Sequence, residues 1–314
     1  MIYLFGAGYM GEEYIRVLND FDAPVSLVAR TETRLEVMRN KYDVVACFSG
    51  GFEGFTKPAK SGDLAIVCLP IEKLAACAKK LLSAGFKKIL VEKPVGLSNE
   101  VLIELKTQSL AQGGQIFVAY NRRFFSSVLH LKSVLEREEL VAVHFEISEW
   151  AHKVDRRDYD SSVLDRWFIA NTSHVVDLAL HLAGDLRNLT CNVTGALDWH
   201  SSGSRFSGTG TTEHNVMLSY NGYWDCPGRW SLEFLTREHK YILRPMEKIY
   251  VQELNSVTPE LVKGIDYTLD EQFKPGLHNL VRSFIGSTCE DLCTLDEQIN
   301  RMPIYMKMAG YEVS

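Results

Sequence analysis

No stretch of this chain approaches the ~20 consecutive apolar residues that a bilayer-spanning helix needs, so no membrane partner is expected. A CxxC pair is missing too. The seven cysteines (Cys47, Cys68, Cys77, Cys191, Cys226, Cys289 and Cys293) are odd in number and scattered through 314 residues. That spacing excludes zinc-ribbon chemistry and argues against a disulfide framework, so the cysteines read as inert thiols of a reducing compartment. No metal is expected. A basic excess is lacking as well: 34 Lys and Arg face 40 Asp and Glu, for a net charge of −6. Without a basic face there is no broad phosphate footprint, and no nucleic-acid partner is expected. Local arginines remain free to hold an anionic small molecule. The sequence has no internal repeat and no low-complexity tract. Its first residues read as a strand rather than a charged leader with a cleavage site, and a cytoplasmic location is expected.

What is present is an ordinary globular composition, 46% hydrophobic and 24% charged, in a chain long enough for two domains. Over the first 120 residues, short apolar runs alternate with amphipathic stretches. Strands are predicted at 1–5, 25–29, 64–69, 89–91 and 116–119, and helices at 9–19, 32–41, 71–83 and 101–112. Strand–helix alternation of this kind implies right-handed crossovers and a doubly wound parallel sheet, an α/β Rossmann-type domain over residues 1–122. Beyond Ser126 the texture changes. In 141–149, Val141, Val143, Phe145 and Ile147 alternate with Ala142, His144, Glu146 and Ser148. This period of two marks a sheet with one buried face. A polar loop is expected at 153–162 and a helix at about 173–182. Strands follow at 189–193, 214–220, 230–235, 241–243 and 248–252, and helices at 277–284 and 295–308. The Gly/Ser-rich run 201–210 reads as a loop. Residues 123–314 are thus expected to form an α+β substrate domain with a large, mainly antiparallel open sheet.

Three patterns carry chemistry. The first is Gly6-Ala7-Gly8-Tyr9-Met10-Gly11, lying between a strand and a helix. Such a turn needs positive φ, a bare backbone against a pyrophosphate, and a helix packed close to a strand. The helix N-terminus then presents N–H groups to the phosphates. The second lies at the tip of the second strand, where NAD enzymes commonly place a carboxylate for the ribose hydroxyls. Here Arg30 and Thr31 stand there, with Arg34 a turn further on, and a guanidinium pairs with a 2′-phosphate that a carboxylate repels. NADP(H) is therefore favoured over NAD(H). In the alternative, Arg30 is a solvated charge and Glu32 turns back to the ribose. The third is Glu92-Lys93-Pro94 at the carboxyl end of the fourth predicted strand, the edge where doubly wound sheets bind ligands. A lysine held there can exchange a proton with a substrate hydroxyl, although a strand-end lysine is often merely solvated.

These stretches resemble the glucose–fructose oxidoreductase/inositol dehydrogenase/rhizopine catabolism (Gfo/Idh/MocA) family. The resemblance rests on Gly6 to Gly11, on Asp63 to Pro70 with Leu69 and Pro70 at its end, and on Ala84-Gly85 leading to Glu92-Lys93-Pro94. It extends to Tyr120-Asn121-Arg122-Arg123-Phe124 and to His174-Val175-Val176-Asp177 followed by Gly184. It implies proton transfer by Lys93 and His174, with Asp177 of the same motif, beside a nicotinamide. It also implies sugars, polyols or sugar nucleotides as substrates, and a homodimer or higher homo-oligomer. The cofactor would be held by Gly6, Ala7, Gly8, Tyr9, Met10, Gly11, Arg30, Thr31, Arg34, Leu69, Pro70, Glu92 and Pro94. The chain departs from the family at Ala170 and Thr172, where an aspartate and a glycine are frequent.

Candidate substrate residues are Tyr120, Asn121, Arg123, Trp150, Arg166, Trp167 and Arg229. Among these, Arg123, Arg166 and Arg229, together with Arg157, suggest an anionic group on the substrate, and Trp150, Trp167 and Trp230 are either sugar-stacking platforms or core. His174, Asp177 and His181 share a helix face. A histidine in a first helical turn is expected to sit neutral beside the helix dipole. The function expected is hydride transfer to or from a small carbohydrate, namely a sugar, sugar nucleotide or sugar-acid derivative, with Lys93 as general acid/base. Two alternatives stay open: a glycoside hydrolase that uses a nicotinamide transiently, and a non-catalytic cofactor-sensing protein of the same fold.

Overall fold

Runs such as Ile2-Tyr3-Leu4-Phe5 and Leu64-Ala65-Ile66-Val67 have no polar face, so they form strands only where both sides can be covered. The computed structural model describes residues 1–311 and buries these runs in the first of two units. That unit comprises 1–121 and 271–300, and the second comprises 122–270 and the chain from 301 on. In chain order the first unit holds β1 (Ile2–Phe5), α1 (Tyr9–Asp20), β2 (Val25–Val28), α2 (Glu32–Arg39), β3 (Ala46–Phe48) and α3 (Gly51–Gly54). It continues through β4 (Leu64–Val67), α4 (Ile71–Ser83), β5 (Lys88–Glu92), α5 (Asn99–Gln112) and β6 (Gln115–Ala119). Strands β6-β5-β4-β1-β2-β3 are all parallel. Strand β3 has only three residues, none of them fully buried, and the apolar pattern does not announce it.

The second unit opens with α6 (Ser126–Leu135) and β7 (Leu140–Glu146). Next come α7 (Ser161–Asp165), a π-helical turn at Phe168–Thr172 and α8 (Ser173–Ala183). Then follow β8 (Leu186–Thr194), β9 (Arg205–Thr212), β10 (Met217–Tyr223), β11 (Ser231–Thr236), β12 (His239–Leu243), β13 (Tyr250–Glu253) and β14 (Glu260–Leu261). Their order is β14-β13-β12-β11-β7-β10-β9-β8, antiparallel except for the β7–β10 pair. Val143 and Phe145 of β7 and Leu232 and Phe234 of β11 are fully or almost fully buried, and α8 packs on both strands. The alternate residues of β7 and β10 leave an outer face on which Met217 is 66% exposed.

Strand β9 occupies ground expected to be loop. Its glycines are required by packing rather than by turning: a Cβ on Gly208 would stand 2.5 Å from the Tyr220 ring, and one on Gly210 2.5 Å from the Asn188 carbonyl. Composition signalled flexibility where the sheet needed flat backbone.

The chain leaves the second unit within α9 (Thr268–Gln272) and returns to the first with α10 (Leu277–Ile285) and β15 (Cys293–Thr294), which pairs antiparallel with β6. It crosses back within α11 (Leu295–Ala309). The single boundary expected at 122/123 is thus three crossings, and α10, expected in the substrate domain, packs on α1. No helix among the described residues is long and apolar enough to cross a membrane.

Candidate active site

In the first unit the glycine turn joins β1 to α1. A Cβ on Gly6 would meet the Cys68 carbonyl oxygen at 2.4 Å, and Gly6 holds φ +119°, a conformation only glycine enters freely. A Cβ on Gly11 would stand 2.1 Å from the Gly6 carbonyl oxygen, so α1 can press against the turn only without a side chain there. Gly8 is different: its Cβ would meet nothing within 4 Å, and as N-cap of α1 it offers no side-chain cap. The turn is closed on the protein side and bare on the other. This is what a pyrophosphate lying on backbone N–H groups requires.

A cavity of about 460 Å³ opens beside Gly8, lined by Ala7, Leu69 and Pro70 among others. The same cavity is lined by Arg30, Thr31, Arg34, Glu53 and Lys73. Thr31 caps α2 by accepting from the Arg34 amide. Arg34 donates from Nε to the Ala7 carbonyl at 2.5 Å and reaches Glu12 at 3.5 Å, so it braces the glycine turn. Lys73 faces Glu53 at 3.5 Å. Arg30 is exposed and has no carboxylate partner among the described residues. Glu32, the alternative ribose ligand, is paired with Arg39 at 2.7 Å. Gly51, Phe52, Glu53 and Lys73 complete the cavity and were not foreseen; short α3 brings three of them in, and it has no apolar period to reveal it. Tyr9 is 67% exposed, with the Lys274 ammonium 5.2 Å from its ring. Burial pushes the Cys68 thiol well above its ordinary range, leaving it no nucleophile.

Lys93 sits just past β5 in a stiff frame. Glu92 accepts from the Tyr14 hydroxyl at 2.8 Å, and burial pushes both groups up. This bond ties the end of β5 to α1, so Glu92 is a brace. The Pro94 carbonyl accepts from Gln298 Nε2 at 3.1 Å, and Tyr120 donates to Gln298 Oε1 at 3.1 Å. Val95 is fully buried at φ +71°, a costly place for a β-branched residue that persists only where surroundings dictate it.

In the second unit, His174 is the second residue of α8 and 7% exposed. The π-helical turn runs straight into α8, with Thr172 and Ser173 both in the right-handed helical region. His174 therefore does not stand at an open helix N-terminus, and the dipole argument for a neutral ring lapses. Glu149, 3% exposed, clamps this turn. Its carboxylate accepts from Thr172 Oγ1 at 2.6 Å, Asn171 Nδ2 at 2.6 Å and Trp167 Nε1 at 3.2 Å. Burial raises the Glu149 carboxyl, opposed by those three donors and by the charge of Arg229.

Asp177 has both oxygens occupied. Arg123 grips it from Nε at 2.8 Å and Nη2 at 2.6 Å, and Arg301 donates at 2.8 Å. Burial works to raise this carboxyl, but the two guanidinium groups overcome it and hold it below the ordinary range. Asp177 and Arg123, expected at the reacting site, are ion-paired with each other inside the unit.

The expected substrate residues separate in the same way. Tyr120 and Asn121 are buried and bonded, Asn121 to the Pro275 carbonyl at 2.9 Å. Trp167 is 6% exposed and packs edge-on to Tyr159 and Trp199. Arg166 lies over the Tyr311 ring. Only Trp150 and Arg229 are exposed, and they stack on each other with the guanidinium 5.0 Å from the ring centre. Trp150 also lines a cavity of about 730 Å³ within this unit, along with Lys153, Trp199 and Trp224. Sequence could not sort these aromatics and arginines, because burial is decided by segments far apart in the chain. Among the described residues, no group of three or more His, Cys, Asp or Glu could hold a metal ion.

Residues 1–120 match the model of the oxidoreductase family with an NAD-binding Rossmann fold. No curated protein sequence matches the chain. Solved structures share the fold over nearly the whole length. A dehydrogenase (MviM) from Clostridium difficile is 16% identical at a TM-score of 0.78, over 98% of each chain. A UDP-N-acetylglucosamine 3-dehydrogenase, GnnA from Acidithiobacillus ferrooxidans, is 12% identical at 0.72, over 98% of this chain and 96% of that one. An oxidoreductase from Agrobacterium radiobacter, solved with NAD+, L-tartaric acid and magnesium, is 12% identical at 0.73, over 97% and 93%. At such identities the likeness is one of fold.

Proposed function

We propose, from the match of residues 1–120 to the model of the oxidoreductase family with an NAD-binding Rossmann fold, that the chain is a Gfo/Idh/MocA-type, NADP-dependent dehydrogenase or reductase of a sugar, sugar nucleotide or sugar acid. The coarser class is an NAD(P)-dependent oxidoreductase acting on CH–OH groups. The observation that carries the reading is the glycine turn, closed at Gly6 and Gly11 and bare at Gly8, beside a cavity that Arg30 also lines. These residues fit a dinucleotide: the turn and α1 would take the pyrophosphate and Arg30 a 2′-phosphate.

Bound nicotinamide supplies the hydride acceptor or donor. The chain's own residues do the rest. Lys93, fixed by the β5 end and the braced Pro94, takes the proton from a substrate hydroxyl during oxidation, or gives it to the carbonyl oxygen during reduction. His174 orients the reacting hydroxyl, held in place by the Glu149 clamp on the preceding turn. We assign Asp177 and Arg123 to holding α8 rather than to touching substrate. The free thiols fit a reducing, cytoplasmic setting, and a homo-oligomer built on the outer face of the eight-stranded sheet completes the proposal.

The test is a spectrophotometric screen for NADPH consumption with keto-sugars and NADP+ reduction with sugars and sugar nucleotides. Turnover of at least one carbohydrate is expected. Stoichiometric cofactor binding with no turnover would turn the reading toward a binding protein, and release of a leaving group without net NADPH change toward a hydrolase.

A further inference from the structure

Cations around the 730 Å³ cavity of the second unit fall into two sets. Arg156 is paired with Asp198 at 2.7 Å, Arg157 with Asp155 at 2.6 Å and Arg205 with Asp225 at 2.9 Å. Arg229 and Lys153, both exposed, have no such partner among the described residues. They lie instead against indole rings, in an alternating ladder. The Arg122 guanidinium is 4.6 Å from the Trp230 ring centre, Arg229 is 4.8 Å from Trp230 and 5.0 Å from Trp150, and the Lys153 ammonium is 4.5 Å from Trp150. Trp230 is 6% exposed and stands 6.4 Å, ring centre to ring centre, from His174. The Arg229 charge acts on the buried Glu149, whose oxygens are already taken by three donors.

We propose that this ladder is an anion subsite that selects a negatively charged sugar, the charge being a carboxylate or a phosphate ester. Arg229 and Lys153, held against the indoles, have lost much of the side-chain freedom a free arginine or lysine gives up on binding, so they are organised for an anion in advance. Arg229 stays exposed beside the rings, and the N–H edge of a guanidinium is the part that forks onto a carboxylate or phosphate. With His174 next to Trp230, the anionic end of a substrate held by Arg229 lies on the same side of the unit as the histidine assigned to the reacting hydroxyl. The inference rests on the carbohydrate reading above and narrows it.

Binding of D-glucuronate, glucose 6-phosphate and D-glucose to the NADP-loaded full chain, measured by calorimetry at fixed ionic strength, tests it. At least one of the two anions should bind about tenfold or more tightly than D-glucose, and which one shows the source of the charge. Arg229→Gln should weaken that anion by about tenfold or more, the loss expected for a charge-assisted hydrogen bond, and leave D-glucose unchanged. Lys153→Gln, at an exposed site, should weaken it less and serves if Arg229→Gln folds poorly. Equal affinity for D-glucose, no binding of either anion, or anion affinity indifferent to both substitutions overturns the subsite. Turnover is scored separately. Neutral sugars oxidised with no effect of Arg229→Gln leave the oxidoreductase standing without its subsite. Anion binding lost in Arg229→Gln with no sugar ever oxidised leaves the subsite standing without the oxidoreductase.

Discussion

Replacing Arg30 by aspartate should collapse the preference for NADPH over NADH. Three cations line the cavity beside the glycine turn, but they are not equivalent. Arg34 is spent on the Ala7 carbonyl and Glu12, and Lys73 faces Glu53. Arg30 alone is uncommitted, so most of the selectivity for a 2′-phosphate should rest on it. A hydrogen bond to a charged group contributes about 1.5–3 kcal/mol, which is about 10- to 150-fold in affinity. Arg30→Asp should therefore weaken NADPH by at least that factor, with like-charge repulsion added. NADH should be unchanged or tighter, since an aspartate accepts from the ribose hydroxyls. The assay is fluorescence titration of both cofactors against wild type, Arg30→Asp and Arg34→Ala at one ionic strength. Arg34→Ala should weaken both cofactors together, because it removes the brace on the glycine turn. Equal binding of NADH and NADPH by wild type, or an unchanged ratio in Arg30→Asp, refutes the reasoning.

Lys93→Met should lower kcat by about 10²–10⁴ while NADPH still titrates normally, and a near-normal kcat removes the lysine from the mechanism. Gly11→Ala forces a methyl to 2.1 Å from the Gly6 carbonyl oxygen; cofactor affinity should fall by tenfold or more with stability down about 1–3 kcal/mol, and intact NADPH binding would show that the turn is not used. Glu149→Leu leaves Thr172, Asn171 and Trp167 without their acceptor, so urea unfolding should show a loss of about 1–3 kcal/mol or more, the cost of a buried donor left unsatisfied, against a smaller loss for Glu149→Gln. His239 is raised by its hydrogen bond to Glu138, 3.0 Å away. A raised folded value means the stabilisation is complete below the unfolded pKa of about 6.5 and fades as pH rises through the folded one. Its size is about 0.5 kcal/mol, and His239→Gln should remove that slope from the stability profile.

Strands with two covered faces and the helices between them were legible because burial on both sides demands continuous apolar runs, and crossovers demand amphipathic helices. The 71–83 helix matches its prediction to the residue. Strands β3 and β9 were not: one is three residues long, and the other is written in glycine and serine because Tyr220 and the Asn188 carbonyl leave no room for a Cβ. The site divides along a similar line. Glycine spacing and the Arg30 position were readable, since their requirements are local to one turn.

Which polar side chains face a ligand was not readable. Arg123 and Arg229 look alike in sequence, yet one is sealed onto the buried Asp177, which Arg301 also grips, while the other stands exposed between two indoles. Sequence by itself determined the nucleotide-binding turn, the strand-end lysine and the one-face-buried sheet, because each is a consequence of backbone geometry and period over a few residues. Only tertiary structure decided that Asp177 is gripped by Arg123 and Arg301 and Tyr120 bonded to Gln298, that Glu149 clamps the turn before His174, and that residues 271–300 return to the first unit. Those outcomes depend on which distant segments meet, and the desolvation of a charge is settled by its neighbours in space.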